Sequence, residues 1–470
     1  MKKMNVLVSS VLLTGPFMIT AHAAEKPNVI LIFNDDMGYQ DLGCYGSPKN
    51  KTPRIDQLAK EGVRLTDFYA CSSVSSASRA ALLTSCYPQR VGVMGVISAG
   101  SNSGLSPEHV TIAEMLKSVG YATAAVGKWH LGDMQKYLPT NQGFDSYYGI
   151  PYSNDMFPSR HAKYAANCLW RNGFSLDSLN RIFAKLEPNN NRPMSVKENV
   201  PLFQNKECIE FPVDQTTITK RYASKGIQFM EQSVADKKPF FLYLANTMPH
   251  IPLFVSPEFA GKSGNGLYSD VIAEIDYNTG RILDKLKELG VDQNTIVIFT
   301  SDNGPWLQYK DHAGSALPLF EGKFSSFEGG FREPCIIRWP NVIPAGKTSS
   351  VLTSTIDILP TLASVTGAKL PDAEIDGKDI LNILKGKKNA VSPHEYFFYV
   401  LNGLAVRWGD WKYHQVFNYT TTKKEDRKEA PALYNLKNDI GETTNLIDKE
   451  PEIAARLAKA LEEHLKRIKN

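Results

Sequence analysis

Short apolar runs that stop at acidic or amide residues constrain this chain more than any other feature. Val29 to Phe33 runs into Asn34-Asp35-Asp36, and Thr295 to Thr300 runs into Ser301-Asp302-Asn303. A strand that is apolar on both faces must be covered on both, as in a parallel sheet between layers of helix. Phe240 to Ala245 and the small-residue run Ala122 to Val126 read as strands of the same kind, whereas Ile55 to Glu61 and Tyr268 to Leu289 read as helices. The alternation predicts an α/β fold with a large mixed, mainly parallel central sheet flanked by helices. Ligands of such sheets bind beyond the carboxyl ends of the strands, so the acidic strand ends are where chemistry is expected.

This organisation divides the chain into a main domain over 24–385 and a smaller α+β subdomain over 386–470. The second rests on strands at Glu395 to Val400, Gly403 to Arg407 and Trp411 to Gln415, followed by a helix from Pro451 to Lys469. Within the main domain, 158–216 loses periodicity and is rich in Asn, Pro, Lys and aromatics, which predicts an irregular insertion of the lid type. Residues 1–23 read as a signal peptide: Lys2 and Lys3 precede the apolar stretch Val6 to Ile19, then Ala21-His22-Ala23 fits a cleavage site. The expected location is therefore periplasmic or secreted. No later segment reaches the roughly 18 uninterrupted apolar residues of a membrane span.

Charge narrows the partners. The 470 residues carry 53 Lys+Arg against 49 Asp+Glu, with no run of five or more like charges, which argues against nucleic acid as a partner. Six cysteines, Cys44, Cys71, Cys86, Cys168, Cys208 and Cys335, include no C-x-x-C pair, so they read mostly as buried free thiols, with room for one bridge, rather than a zinc site or a dense disulfide framework.

The chemistry-bearing residues lie in several segments. Ser75-Ser76-Ala77-Ser78-Arg79 leads into a good helix former, so Ser75 sits near a helix amino end that attracts anions, with Arg79 one turn up the same face. Asp35, Asp36, Asp302 and the amide oxygen of Asn303 are hard donors at strand ends and suit Ca²⁺ best, Mg²⁺ next. Lys128 and His130 stand two apart, which on an extended segment turns both side chains the same way.

Taken in order, Asn28 to Asp36, Leu42 to Gly46, Thr52 to Asp56, Ser75 to Thr84, Gly127 to Gly132, Pro249-His250, Ser301 to Gly304 and Lys323 before Glu328-Gly329-Gly330 resemble the type I sulfatases of the alkaline-phosphatase-like superfamily, in their arylsulfatase A-like branch. The signature C/S-x-P/A-S-R-x-x-x-L/M-T-G is matched from Ser75 to Thr84, with Ser85 where the family has Gly. Cys71 does not fit it, because Val74 and Ser75 stand where Ser and Arg would be required.

The resemblance implies a formylglycine made from Ser75 by a radical-type maturase before export. The hydrated aldehyde is the nucleophile, and its second oxygen lets it expel sulfate again. It further implies metal ligation by Asp35, Asp36, Asp302 and Asn303 beside Ser75. His130 is the implied base, His250 a sulfate ligand and leaving-group acid, and Lys128, Lys323 and Arg79 the neutralising cations; Asp302 could also activate the diol. Ser153 matches a sulfate-pocket serine, while His312, with Asp155, Arg160 and His161, is expected to border the pocket. The expected substrate is a sulfated carbohydrate such as a glycosaminoglycan, mucin or algal fragment. Two other readings stay open from the residues alone: a phosphatase or phosphodiesterase of the same superfamily, and a non-catalytic sulfated-glycan binder with Ser75 unconverted.

Overall fold

The computed structural model describes residues 26–187, 190–401 and 403–468, so the expected signal peptide lies outside the described residues. A sheet of eleven strands forms the centre. Its middle is parallel, in the order Thr295–Ser301, Asn28–Asn34, Phe240–Ala245, Ala122–Gly127 and Ser146–Gly149. The strands Asn28–Asn34, Phe240–Ala245 and Thr295–Ser301 are buried along their whole length. That is the physical reason for their unbroken apolar sequence. Two apolar layers cover the sheet: one contains Leu82, Leu83 and Trp129, the other Leu58, Ile275 and Leu286.

The helices follow their sequence signals. Pro53–Glu61 begins with proline, whose fixed φ suits the first turn. Leu267–Glu288 places Asp270 in its first turn and Lys285 and Lys287 in its last, complementing the helix dipole. Ile218–Ala235, a helix that sequence patterning did not single out, packs beside Leu267–Glu288 and against the strand Phe240–Ala245.

The insertion departs from expectation. Residues 158–216 are not irregular throughout: strands Tyr164–Trp170, Leu202–Gln204 and Glu207–Phe211 extend the central sheet at one edge, and Leu176–Ala184 is helical. These strands are short and one bulges between Tyr164 and Leu169, so no period-2 pattern survives in the sequence.

A second sheet of four antiparallel strands, Phe397–Val400, Leu404–Trp408, Trp411–Val416 and Ala432–Asn435, is covered by the helix Pro451–Arg467. Among the described residues no helix is long and apolar enough to cross a membrane.

Candidate active site

Parallel pairing in register builds the acidic corner. Asn34 lies opposite Ser301 on neighbouring strands, so Asp35-Asp36 and Asp302-Asn303 leave the sheet side by side. Asp36 turns sharply, at φ 62°, and its amide donates to Asp302 Oδ1 at 3.1 Å. The Asn303 side-chain amide donates to Asp36 Oδ1 at 2.7 Å, which leaves Asn303 Oδ1 to face Ser75 Oγ at 3.4 Å. Gly304 is required here, since a Cβ would meet the Gly329 carbonyl oxygen at 1.8 Å.

Ser75 opens the fully buried helix Ser75–Thr84 and donates to Asp35 Oδ1 at 3.0 Å. The preceding N-cap residue is Val74, and no side chain caps the helix, so its first amides remain available to an anion. Ser85 ends the helix at φ 62°, the left-handed conformation that glycine adopts most easily. Its hydroxyl donates to the Ile356 carbonyl at 2.6 Å, while its own carbonyl accepts from Asp376 and Gly377. Those bonds offset a strain of about 1 kcal/mol and explain why serine serves where the family has glycine.

Three cations balance the three acids. Arg79 is fully buried and bonds Asp302 Oδ2 through Nε and Nη2, at 3.1 and 2.8 Å. Lys128 Nζ donates to Asp35 and approaches Ser153 Oγ at 3.3 Å. It follows Gly127, whose φ of 116° and contact with the Ala245 carbonyl leave no room for a side chain. Lys323 Nζ holds both oxygens of Asp36, at 2.7 and 2.8 Å.

These pairings set the protonation states. Burial works against the Asp35 carboxylate, but Lys128, His250, Arg79 and Lys323 outweigh it and hold its pKa well below the usual range. Asp302 goes the other way: burial first, then the nearby Asp35 charge, push it up to about 7.

The pKa values of the two histidines are lowered for related reasons. Burial, then Lys128 and Arg79, hold His130 well below its ordinary value. Burial, then Lys323, lower His250. His130 Nε2 faces the Ile97 carbonyl at 3.0 Å, an acceptor only, so Nε2 carries the proton. Its buried Nδ1 is then a lone pair with no partner among the described residues. His130 is not on an extended segment as expected: its φ is 60°, with its amide bonded to the Pro151 carbonyl. His250 Nδ1 is held by the Ile251 carbonyl and by Asn154 Oδ1, and Nε2 faces Ser153 Oγ at 3.5 Å and Asp36 Oδ2 at 3.7 Å.

The expected border residues divide. Asp155 is half-buried, its Oδ1 has no partner among the described residues, and it feels the charges of His250 and Lys128. His161 instead approaches Asp133, outside the insertion, while Arg160 donates to the Asn190 carbonyl within it. His312 is exposed and lines a separate cleft with Lys49, Asn265 and Lys310. Sequence reasoning passed over Asn154, which orients His250, and Trp306, whose ring lies 5.9 Å from His250 and 4.8 Å from Lys323 Nζ. Their only sequence signal is adjacency to Ser153 and to Asp302-Asn303-Gly304.

The family described as sulfatase matches residues 27–368, and an N-sulphoglucosamine sulphohydrolase C-terminal region matches 318–470. The chain belongs to the type I sulfatase family. As such it is a sulfuric ester hydrolase, and neither the phosphatase nor the binder reading finds support. The sulfatase is 37% identical to arylsulfatase A of Bos taurus over 94% of this chain and 87% of the relative. It is 33% identical to N-acetylgalactosamine-6-sulfatase of Mus musculus over 96% and 88%. Two solved structures share its fold at TM-scores of 0.76 and 0.78: a protein crystallised with a neocarrahexaose, 29% identical over 93% of this chain and 92% of that one, and one from work on the metabolism of multiple glycosaminoglycans by Bacteroides thetaiotaomicron, 32% identical over 93% and 99%.

The donor set fits a divalent cation. Ligand atoms of Asp35, Asp36 and His250 lie within 4.8 Å of one another, with Asn303 Oδ1 and Asp302 adjoining. Buried carboxylate and amide oxygens in that number suit a hard ion such as Ca²⁺.

Proposed function

We propose that the sulfatase removes sulfate from a sulfated carbohydrate, using a formylglycine derived from Ser75 and a divalent cation held by Asp35, Asp36, Asp302 and Asn303. The observation that carries this reading is the placement of Ser75 Oγ at an uncapped helix end, 3.0 Å from Asp35 and 3.4 Å from Asn303. Formylglycine would supply a nucleophile that can release sulfate again, and the cation would draw charge from a sulfate oxygen.

The chain's own side chains do the rest. Arg79, Lys128 and Lys323 surround the anion and neutralise its oxygens. Neutral His130 offers its Nδ1 lone pair as the base. His250, with Nδ1 protonated and held by Asn154, points Nε2 into the pocket. It takes up a second proton when an anionic ester enters, and delivers that proton to the leaving alcohol. Asp302 stands ready to activate the diol, and Ser153 donates to sulfate from between Lys128 and His250. His312 would meet only a longer substrate, from its separate cleft.

Carbohydrate is favoured over a small aryl sulfate by the similar structures, one crystallised with a neocarrahexaose and one from work on glycosaminoglycan metabolism, and by half-buried Trp306 beside His250, a flat surface for a sugar ring. The reading includes export to the periplasm or beyond, after a radical-type maturase has converted Ser75. One experiment tests it: sulfate release from defined sulfated saccharides, with mass spectrometry of the Ser75 peptide in the same preparation. Turnover should scale with the fraction of peptide lighter by two hydrogens. Full turnover by unmodified Ser75 would refute the mechanism, and turnover of aryl sulfates alone would refute the substrate.

A further inference from the structure

Two cysteines of the insertion face each other across the outermost strands of the sheet. The strand Tyr164–Trp170 pairs in parallel with Glu207–Phe211, with Tyr164 opposite Cys208 and Leu169 opposite Glu210, so it bulges between these points. Along the bulge Ala166 and Asn167 lack cover, and Leu169 is 50% exposed, yet Cys168 is turned inward to 8% exposure. Its sulfur lies 4.0 Å from that of Cys208, which is completely buried. Both belong to the same apolar layer as Leu179, Phe203 and Phe211. The remaining cysteines have other neighbours: Cys71 meets Ser354, and Cys86 meets the Thr84 carbonyl.

A disulfide needs its sulfurs about 2.0 Å apart, so the two would have to close by about 2 Å. That movement would come from rotation of the two side chains, whose strands are paired on either side of the bulge.

We propose that Cys168 and Cys208 are a redox-active pair that closes to a disulfide when the chain meets an oxidising thiol–disulfide partner, outside the cytoplasm in the ordinary course of export. The Cys168 thiolate attacks one sulfur of the partner's disulfide, forming a mixed disulfide and releasing the partner's other sulfur as a thiolate. The Cys208 thiolate then attacks Cys168 and expels the partner's second sulfur. Two protons and two electrons leave the cysteine pair, and the partner is reduced to two thiols.

The bridge would close a loop of 40 positions that contains the helix Leu176–Ala184 and the segment at Asn190 to Arg192. Asn191 and Arg192 bond to Gly100 and Ser98, in the loop whose Ile97 carbonyl holds His130. The disulfide would therefore staple the wall that backs the base.

The test uses the purified full chain and oxidised glutathione as the probe. After equilibration, acid quench and alkylation in denaturant, two of the six cysteines should escape alkylation, and peptide mapping should find Cys168 linked to Cys208. Oxidation should raise Tm by several degrees, reversed by a reducing agent, with no such shift in Cys168→Ala. Six alkylated cysteines, a stable glutathione adduct on Cys168, or a bridge between any other pair would overturn the proposal. The mapping needs no variant, so a poorly folding mutant leaves the test intact.

Discussion

Lys412 Nζ lies 2.9 Å from Glu328 Oε1, and neither side chain has any exposed surface. The pair joins the C-terminal sheet to the segment that carries Lys323. Glu442 completes it, accepting from Lys412 at 3.1 Å, from His414 at 2.7 Å and from the Glu328 amide at 2.8 Å. Burial would raise the Glu328 pKa, but Lys412, Arg332 and Arg407 hold it well below the carboxylate range. Removing one partner of a buried pair strands the other charge, which costs about 3–5 kcal/mol. Lys412→Met should therefore destabilise the chain by that amount in chemical denaturation. A loss below about 1 kcal/mol would mean the network carries little of the subdomain contact.

His464 sets an acid limit on stability. Its ring stacks on Phe398 at 3.7 Å, both ring nitrogens lack partners among the described residues, and burial with the nearby Arg467 charge lowers its pKa to about 4. Unfolded, a histidine titrates near 6.5, so between those values the unfolded chain binds more proton than the folded one. Stability must fall as pH drops through that window, by up to about 3 kcal/mol for this residue. His464→Leu should flatten the fall between pH 6.5 and 4 in urea denaturation. An unchanged slope would locate the acid sensitivity elsewhere.

His250→Ala should reduce turnover of an alkyl sugar sulfate by about 10²–10⁴-fold, the usual worth of general acid assistance. An aryl sulfate, whose phenolate leaves without a proton, should lose far less. Equal losses on both esters would remove His250 from the acid role.

Cation binding should register without any turnover. Ca²⁺ added to chelator-treated protein should raise Tm in a saturable way, by the linkage that adds about 2.7 kcal/mol at a hundredfold excess over Kd. Asp36→Asn should blunt the response, since it removes one carboxylate from the donor set. A Tm indifferent to both Ca²⁺ and Mg²⁺ at millimolar concentration would argue against the site.

Much of this chemistry was legible in sequence because it sits where local rules operate. A buried parallel strand must be apolar and must end at the site, so Asp35, Asp36, Asp302 and Asn303 could be placed at strand ends from the pattern alone. Ser75 and Arg79 are likewise a matter of helix geometry over a few residues. Tertiary structure alone decided what depends on distant partners. Lys323 reaches Asp36 from 287 positions away, and the tautomer of His130 is set by a carbonyl 33 positions earlier. The insertion's strands are too short and too bulged to show a period, so only their place at the sheet edge defines them. Lys412, Glu442 and the Cys168–Cys208 approach have no local signature at all. A buried charge or thiol takes its meaning from the group opposite, and chain order does not say which group that is.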